Sequence, residues 1–254
     1  MEIINQGMRK ISVNASNNND LTIIAPVFNE ELCLKHFKSK MDKFLFITPI
    51  NTSVLFVNDG STDNSQAMIE EICAVDDRYK FLTLKSNSGL STAIKAGIDA
   101  SGSTLIGYMD ADMQTTPLDF LNFLDFFPKY DLVNGTRVQR KDNLIKKMSS
   151  RIANAIRRMM IQDNIKDTCC PLKMMKSHYA RKIPFFTGMH RFIPALVQLE
   201  EGKVKQIPVQ HFPRYAGTAK YNLRNRLIGP FIDTLAFLWI KRRYIRYRIS
   251  KQST

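Results

Sequence analysis

The sequence predicts an α/β domain whose mostly parallel sheet is flanked by helices. Three observations predict it. Apolar runs rich in Ile, Val and Leu alternate with helix-spaced segments through the first 136 residues, the pattern of repeated β-α units. Those runs end in clusters of polar residues, which is where such sheets bind ligands. The chain has 254 residues, 44% of them hydrophobic and 24% charged, enough for a sizeable core in one large domain.

The elements follow in order. "LTIIAPVF" (21–28) is a strand and "NEELCLKHFKSKMDKFLF" (29–46) a helix, with acids early and lysines late as a helix dipole favours. "TSVLFVND" (52–59) is the second strand. Ser61, Thr62 and Asp63 then read as caps of the helix in "STDNSQAMIEEICAV". "FLTLKS" (81–86) is the third strand, and "GLSTAIKAGIDA" (89–100) a small-residue helix able to lie close on a sheet. "TLIGYMDAD" (104–112), "PLDFLNFLDFF" (117–127) and "DLVNGTR" (131–137) supply a fourth strand, a helix and a fifth strand. Residues 1–20 are polar and Asn-rich, and read as a disordered lead-in without the apolar core of a signal peptide.

Charge is uneven. Residues 1–136 hold 11 Lys+Arg and 17 Asp+Glu, whereas residues 137–254 hold 26 and 6. The basic half suits a polyanion: a phosphorylated ligand, an anionic membrane or a nucleic acid. Its basic residues are interleaved with long aliphatics and no nucleic-acid motif is present, so no nucleic-acid partner is expected. Cys33, Cys73, Cys169 and Cys170 have no C-x-x-C spacing, which argues against a disulfide scaffold or zinc site.

The rim acids carry the chemistry. Asn29 and Glu30 follow the first strand, Asn58 and Asp59 the second, and Asp110 and Asp112 the fourth. Acids sharing one crevice repel unless a cation or donor joins them. A D-x-D at a strand end can present carboxylates to Mg²⁺ or Mn²⁺, which usually bridge protein to ligand phosphates. Neither a P-loop nor a G-x-G-x-x-G is present. A metal-bound nucleoside diphosphate without either points to a nucleotide-sugar enzyme.

The segments "APVFNEE" (25–31), "VNDGSTDNS" (57–65), "NSGLSTAIKAGIDAS" (87–101) and "MDADMQ" (109–114) resemble the successive motifs of family-2 glycosyltransferases of the GT-A fold. "GTRVQRKDNLIKKMSSRIAN" (135–154), "KDTCCPLKMMKS" (166–177), "FFTGMHRFIPAL" (185–196) and "HFPRYAGTAKYNLRNR" (211–226) resemble its polyprenyl-phosphate branch, which includes dolichyl-phosphate mannosyltransferases and undecaprenyl-phosphate glycosyltransferases. The resemblance covers residues 21–226 and implies a GT-A domain there, with 227–254 as a membrane-associating segment. It implies transfer of a sugar from a nucleotide-diphosphate sugar (GDP-mannose or a UDP-hexose) to a polyprenyl phosphate, with inversion.

By the same resemblance, Pro26, Phe28, Asn29 and Glu30 form the first nucleotide-contacting loop, and Asp59 contacts the base or ribose. Asp110, Asp112 and Gln114 form the metal and pyrophosphate site, with Asp112 the direct ligand. Arg137 and Arg151 lie near the acceptor phosphate, and Arg214 and Lys220 sit on a basic loop that closes over the phosphates. Asp167 orients the acceptor or acts as base, with a turn cap as the alternative. Asp112, Asp167, Arg214 and Lys220 are the catalytic set. The chain departs from the branch at D-T-C-C (167–170), where D-T-G or D-x-S-G is usual, and at Ala219, where the closing loop often has Ser.

A phosphate acceptor needs no general base, because its second pKa near 6 leaves it mostly dianionic at neutral pH. A saccharide or protein hydroxyl, the alternative acceptor, would need one. "LIKKMSSRIANAIRRMMI" (144–161) has basic and apolar residues on opposite sides of a helix, and 222–251 reads as a second interfacial helix. Its apolar stretch, 227–240, is too short to span a bilayer. A peripheral enzyme on the cytoplasmic membrane face is therefore expected, held by anionic lipid or docked on a separate integral membrane protein.

Overall fold

A computed structural model describes residues 20–138, 159–216 and 223–245. Residues 1–19 of the lead-in, Arg151, Lys220 and all but the last three residues of the 144–161 helix lie outside them, and Asp20, the lead-in's last residue, instead opens β1. The order is β1 (Asp20–Val27), α1 (Glu31–Ile47), β2 (Asn51–Asn58), α2 (Ser65–Val75), β3 (Tyr79–Thr83), α3 (Leu90–Ala100), β4 (Leu105–Tyr108), α4 (Asp119–Leu124) and β5 (Leu132–Arg137). There follow β6 (Lys173–Lys176), α5 (Ser177–Lys182), a 3-10 turn (Met189–Arg191), α6 (Ile193–Leu199), β7 (Val204–Val209) and α7 (Leu223–Arg243).

The sheet has seven strands in the order β3-β2-β1-β4-β6-β5-β7. All pairings are parallel except those of β6 with β4 and β5. The five expected strands are present, so the α/β, mostly parallel reading holds. β6 and β7 were not expected. β6 is only four residues long, and β7 carries Pro208, which suits its place at the sheet edge.

β1 lies inside the sheet and is buried on both faces, so from Ile23 to Val27 its sequence is an apolar run rather than an alternation. One face of the sheet packs Phe37, Phe44, Phe56, Phe120 and Phe123. Removing one such ring, as in Phe120→Ala, costs about 3–5 kcal/mol. The other face packs Ile24, Ile94, Ile98, Phe192 and Phe237. The small-residue expectation for α3 is met at Gly97, where a Cβ would lie 2.6 Å from Ile24 Cγ2. Two helix details differ. The last turn of α1 carries no basic residue, and α2 has no side-chain cap on Asn64.

The order turns around at β1. The chain runs outward through β2 and β3, then returns to place β4 on β1's other side. The loops after β1 and β4 therefore diverge and leave a crevice between them. α7 runs continuously through residues 226 and 227 and docks on the body. Phe237 stacks on Phe192 with centroids 5.4 Å apart, and Arg191 Nη1 meets Asp233 Oδ2 at 2.9 Å. No helix among the described residues is long and apolar enough to cross a membrane.

Candidate active site

The loops after β1 and β2 are stapled together. Asn29 N–H donates to Ser61 Oγ at 3.0 Å, Glu30 N–H to Ser65 Oγ at 3.0 Å, and Glu31 N–H to Asp63 Oδ2 at 3.2 Å. In return Thr62 N–H donates to Asn29 Oδ1 at 2.8 Å. Ser61 and Thr62 thus serve the neighbouring loop rather than capping α2. Asp63 does both, since its Oδ1 also accepts from Ser65 N–H at 3.0 Å. Asn29 has φ 52°, a left-handed conformation that Asn tolerates well. This places Phe28, Asn29 and Glu30, with Pro26 at the end of β1, on the crevice wall.

Asp59 is buried, and its carboxylate is engaged. It accepts from Ser88 N–H at 2.7 Å, Gly89 N–H at 2.9 Å and Asn87 Nδ2 at 3.2 Å. It therefore shapes the loop that enters α3. Gly60 beside it has φ 67°, and a Cβ there would lie 2.6 Å from the backbone of Ser86 and Asn87. Only glycine admits so close an approach.

The D-x-D lies just beyond β4, which ends at Tyr108, earlier than expected. Met113 has φ 61°, costly for a residue with a long side chain. That turn lets Gln114 N–H donate to Asp112 Oδ1 at 3.1 Å. Tyr108 Oη donates to Asp110 Oδ1 at 2.6 Å. Burial first, then the Asp112 charge, hold the Asp110 carboxyl above the usual carboxylate range, while Tyr108, Lys173 and Arg137 pull it down.

The segment after β7 lies along this rim. Gln210 N–H donates to Asp119 Oδ2 at 3.1 Å and Phe212 N–H to Gln114 O at 2.9 Å. Tyr215 stacks on His36 of α1, centroids 4.3 Å apart. Between these anchors Arg214 reaches Asp112 Oδ2 at 3.1 Å and Glu30 Oε1 at 3.5 Å. The loop residue matched to the phosphates thus sits on the acids themselves.

On the other side of β4, Arg137 and Asp167 meet each other. Nε to Oδ2 is 2.8 Å and Nη2 to Oδ1 is 2.9 Å, with the Arg137 N–H also on Oδ2 at 3.1 Å. Both side chains are about nine-tenths buried, at 9% and 10% exposure. Asp167 is therefore the carboxylate that orients Arg137.

Tyr108, Lys173, His36 and Tyr215 were not singled out from sequence. Tyr108 was discoverable: it lies two residues before Asp110, on the same side of an extended chain, and a buried phenol needs a partner.

The residues fit a divalent cation. Glu30 and Asp112 bring carboxylate oxygens close enough for one guanidinium to meet both, and Asp110 lies two residues before Asp112. Among the described residues no three His, Cys, Asp or Glu side chains form a metal-holding group. A donor set of few protein oxygens suits Mg²⁺ or Mn²⁺ completed by water and ligand phosphates.

A switch-point crevice walled by acids, with arginines on both sides, is suited to a ligand that carries phosphates. Residues 22–183 match Glycosyl transferase family 2, and the chain belongs to that family. It is 28% identical over 229 residues to a dodecaprenyl-phosphate galacturonate synthase of Rhizobium johnstonii, covering 88% of this chain and 68% of that one. It is also 28% identical over 222 residues to an undecaprenyl-phosphate 4-deoxy-4-formamido-L-arabinose transferase of Proteus mirabilis, covering 87% and 68%. The fold superposes on glucosyl-3-phosphoglycerate synthase of Mycobacterium tuberculosis, crystallised with Mn²⁺ and UDP-glucose, with TM-score 0.64, 13% identity and coverage of 87% and 79%.

Proposed function

We propose that this glycosyltransferase moves a sugar from a nucleoside-diphosphate sugar to a polyprenyl phosphate at the cytoplasmic membrane face. The observation that carries the acceptor assignment is the ion pair of Arg137 with Asp167. It commits the carboxylate matched to a general base to a guanidinium, and leaves that guanidinium poised beside the donor acids. A hydroxyl acceptor needs a base at that position, whereas a phosphate acceptor needs a fixed cation. The named substrates of the two relatives support the same class.

In this mechanism Asn29, Glu30 and the loop held by Asp59 cradle the nucleoside. Asp110, Asp112 and Gln114 would hold the divalent ion, which when bound supplies electrostatic stabilisation of the departing diphosphate. Arg214 moves from Asp112 and Glu30 onto the diphosphate as the donor enters, exchanging carboxylate oxygens for phosphate oxygens. Lys220, outside the described residues, joins Arg214 on the diphosphate, and Arg137, with Arg151 also outside them, steadies the acceptor phosphate. One of its oxygens attacks the anomeric carbon from the face opposite the leaving diphosphate, so configuration inverts.

α7 supports a peripheral position on the membrane. Its inner side buries Thr234 and Phe237. Phe231, Leu235 and Trp239, one turn apart, are exposed together with Ile232, and Lys241, Arg242 and Arg243 follow in the last turn. An apolar stripe ending in cations suits an anionic headgroup layer. The test is a panel of labelled UDP- and GDP-sugars with short- and long-chain polyprenyl phosphates, with and without EDTA. Metal-dependent label in the organic phase is the expected result. Label that reaches only saccharide or protein would replace the acceptor assignment.

A further inference from the structure

Lys173 is a lysine in the centre of the sheet, only 1% exposed. Its Nζ donates to Thr168 O at 3.3 Å and to Cys170 O, and lies 5.7 Å from the centroid of the Tyr108 ring. Three acceptors thus face three ammonium N–H groups. It makes no ion pair among the described residues. A buried cation held only by neutral groups is costly to retain. Its neighbours Leu172, Met174 and Met175 are all apolar, and Met would satisfy packing there.

The register shows what the cation faces. Tyr108 of β4 lies directly opposite Lys173, and Lys173 lies directly opposite Asn134 of β5. Cross-strand partners share a face of the sheet, so the three side chains form one row. At one end the Tyr108 hydroxyl holds Asp110 Oδ1 at 2.6 Å. At the other, Asn134 Nδ2 holds the Asp167 carbonyl at 2.9 Å, and Asp167 in turn grips Arg137. From the middle, Lys173 gathers the carbonyls of the turn that follows Asp167.

We propose that Lys173 is a positioning residue that fixes both halves of the active site at once, Asp110 on the donor side through Tyr108 and Arg137 on the acceptor side through the 167–170 turn. Removing the Lys173 ammonium releases the Tyr108 ring and the turn together. The acceptor side rests on the function proposed above, whereas the donor side requires only a metal-bound nucleotide.

The test uses the full chain and two readouts. Mn²⁺ affinity is measured by electron paramagnetic resonance with UDP or GDP present and no acceptor. Acceptor KM is measured with a short-chain polyprenyl phosphate. Losing an outer support of a metal ligand weakens affinity about 10- to 100-fold, so Lys173→Met should weaken Mn²⁺ binding about tenfold and raise acceptor KM by a similar factor. Tyr108→Phe should move only the Mn²⁺ constant, and Asp167→Asn only the acceptor constant. The double variant Tyr108→Phe/Lys173→Met should bind Mn²⁺ no more weakly than Tyr108→Phe alone, because Lys173 reaches Asp110 only through the Tyr108 hydroxyl.

Unchanged constants in a folded Lys173→Met, with or without a lower Tm, would overturn the proposal and leave a packing role. If Lys173→Met does not fold, Tyr108→Phe and Asn134→Ala decide. Each must shift its own constant and not the other, and failure of either overturns the proposal. A wild type that binds Mn²⁺ as expected but accepts no polyprenyl phosphate would refute the acceptor assignment while the Mn²⁺ results still judge Lys173.

Discussion

Breaking the Arg137–Asp167 pair should cost more stability than any exposed ion pair in the chain. Asp167→Ala removes two charge-assisted contacts, at 2.8 and 2.9 Å, and an acceptor for the Arg137 N–H. The guanidinium is then left nearly buried without a partner, a situation that costs about 3–5 kcal/mol. For a domain of this size each kcal/mol lowers Tm by about 2–4 °C, so Tm should fall by roughly 6–20 °C. Arg137→Ala takes the guanidinium from the Asp167 carboxylate, which keeps the backbone N–H of residue 137, and should cost less. The double variant leaves no stranded charge, so it should be no less stable than either single one, which makes the coupling energy at least the larger single loss, about 3–5 kcal/mol. Urea denaturation of the four proteins, followed by circular dichroism, measures this. Losses that add to within about 0.5 kcal/mol would mean that the two residues act independently, and Asp167 would again be available as a base.

Other outcomes follow from the same geometry. Arg137→Ala should raise the KM for the lipid acceptor about 10- to 150-fold, the kinetic equivalent of about 1.5–3 kcal/mol of charge-assisted bonding, with a much smaller change for the nucleotide sugar. Asp112→Asn should lower turnover by about 10²–10³-fold, and EDTA should abolish wild-type activity; full activity in EDTA would remove the metal from the mechanism. Arg214→Ala should weaken donor binding about tenfold yet tighten Mn²⁺ binding without donor, because a competing cation has left Asp112; calorimetry with and without nucleotide separates the two. Phe231→Ser with Trp239→Ser should reduce flotation with anionic liposomes about tenfold or more, since each ring contributes roughly 1.5–3 kcal/mol on burial, and unchanged flotation would assign attachment to another segment.

The sequence displayed what depends on local chemistry. β1 and β2 show apolar runs, Ile23–Val27 and Val54–Val57, because those stretches are covered on both faces. Gly97 announced close packing because a helix with so little side chain has no other way to lie on a sheet. The D-x-D was recognisable because two acids at the end of an apolar run need a cation. What was hidden depends on partners distant in the chain. β6 is four residues, too short for any period, and exists only because β4 and β5 leave room between them. Pro208 masked β7, since proline is acceptable in a strand only at an edge, and an edge is known only once the sheet is assembled. That Asp59 also holds the 87–89 loop is visible only once that loop folds onto it. Arg137 and Asp167, 30 residues apart, read separately in the sequence, one as an acceptor-phosphate contact and one as a base or orienting group, and only the fold shows that one holds the other.

The measurement that tests the central claim most directly is phosphorus NMR of the acceptor during turnover. A short-chain polyprenyl phosphate has a monoester resonance that titrates near pH 6. Transfer of the sugar to that phosphate converts it into a diester with no second ionisation. The acceptor signal should therefore move to a new resonance that no longer shifts between pH 5 and 8, in step with release of nucleoside diphosphate. Release of nucleoside diphosphate while the acceptor resonance stays unchanged and still titrates would contradict the account, because the sugar would then have gone to water or to a hydroxyl.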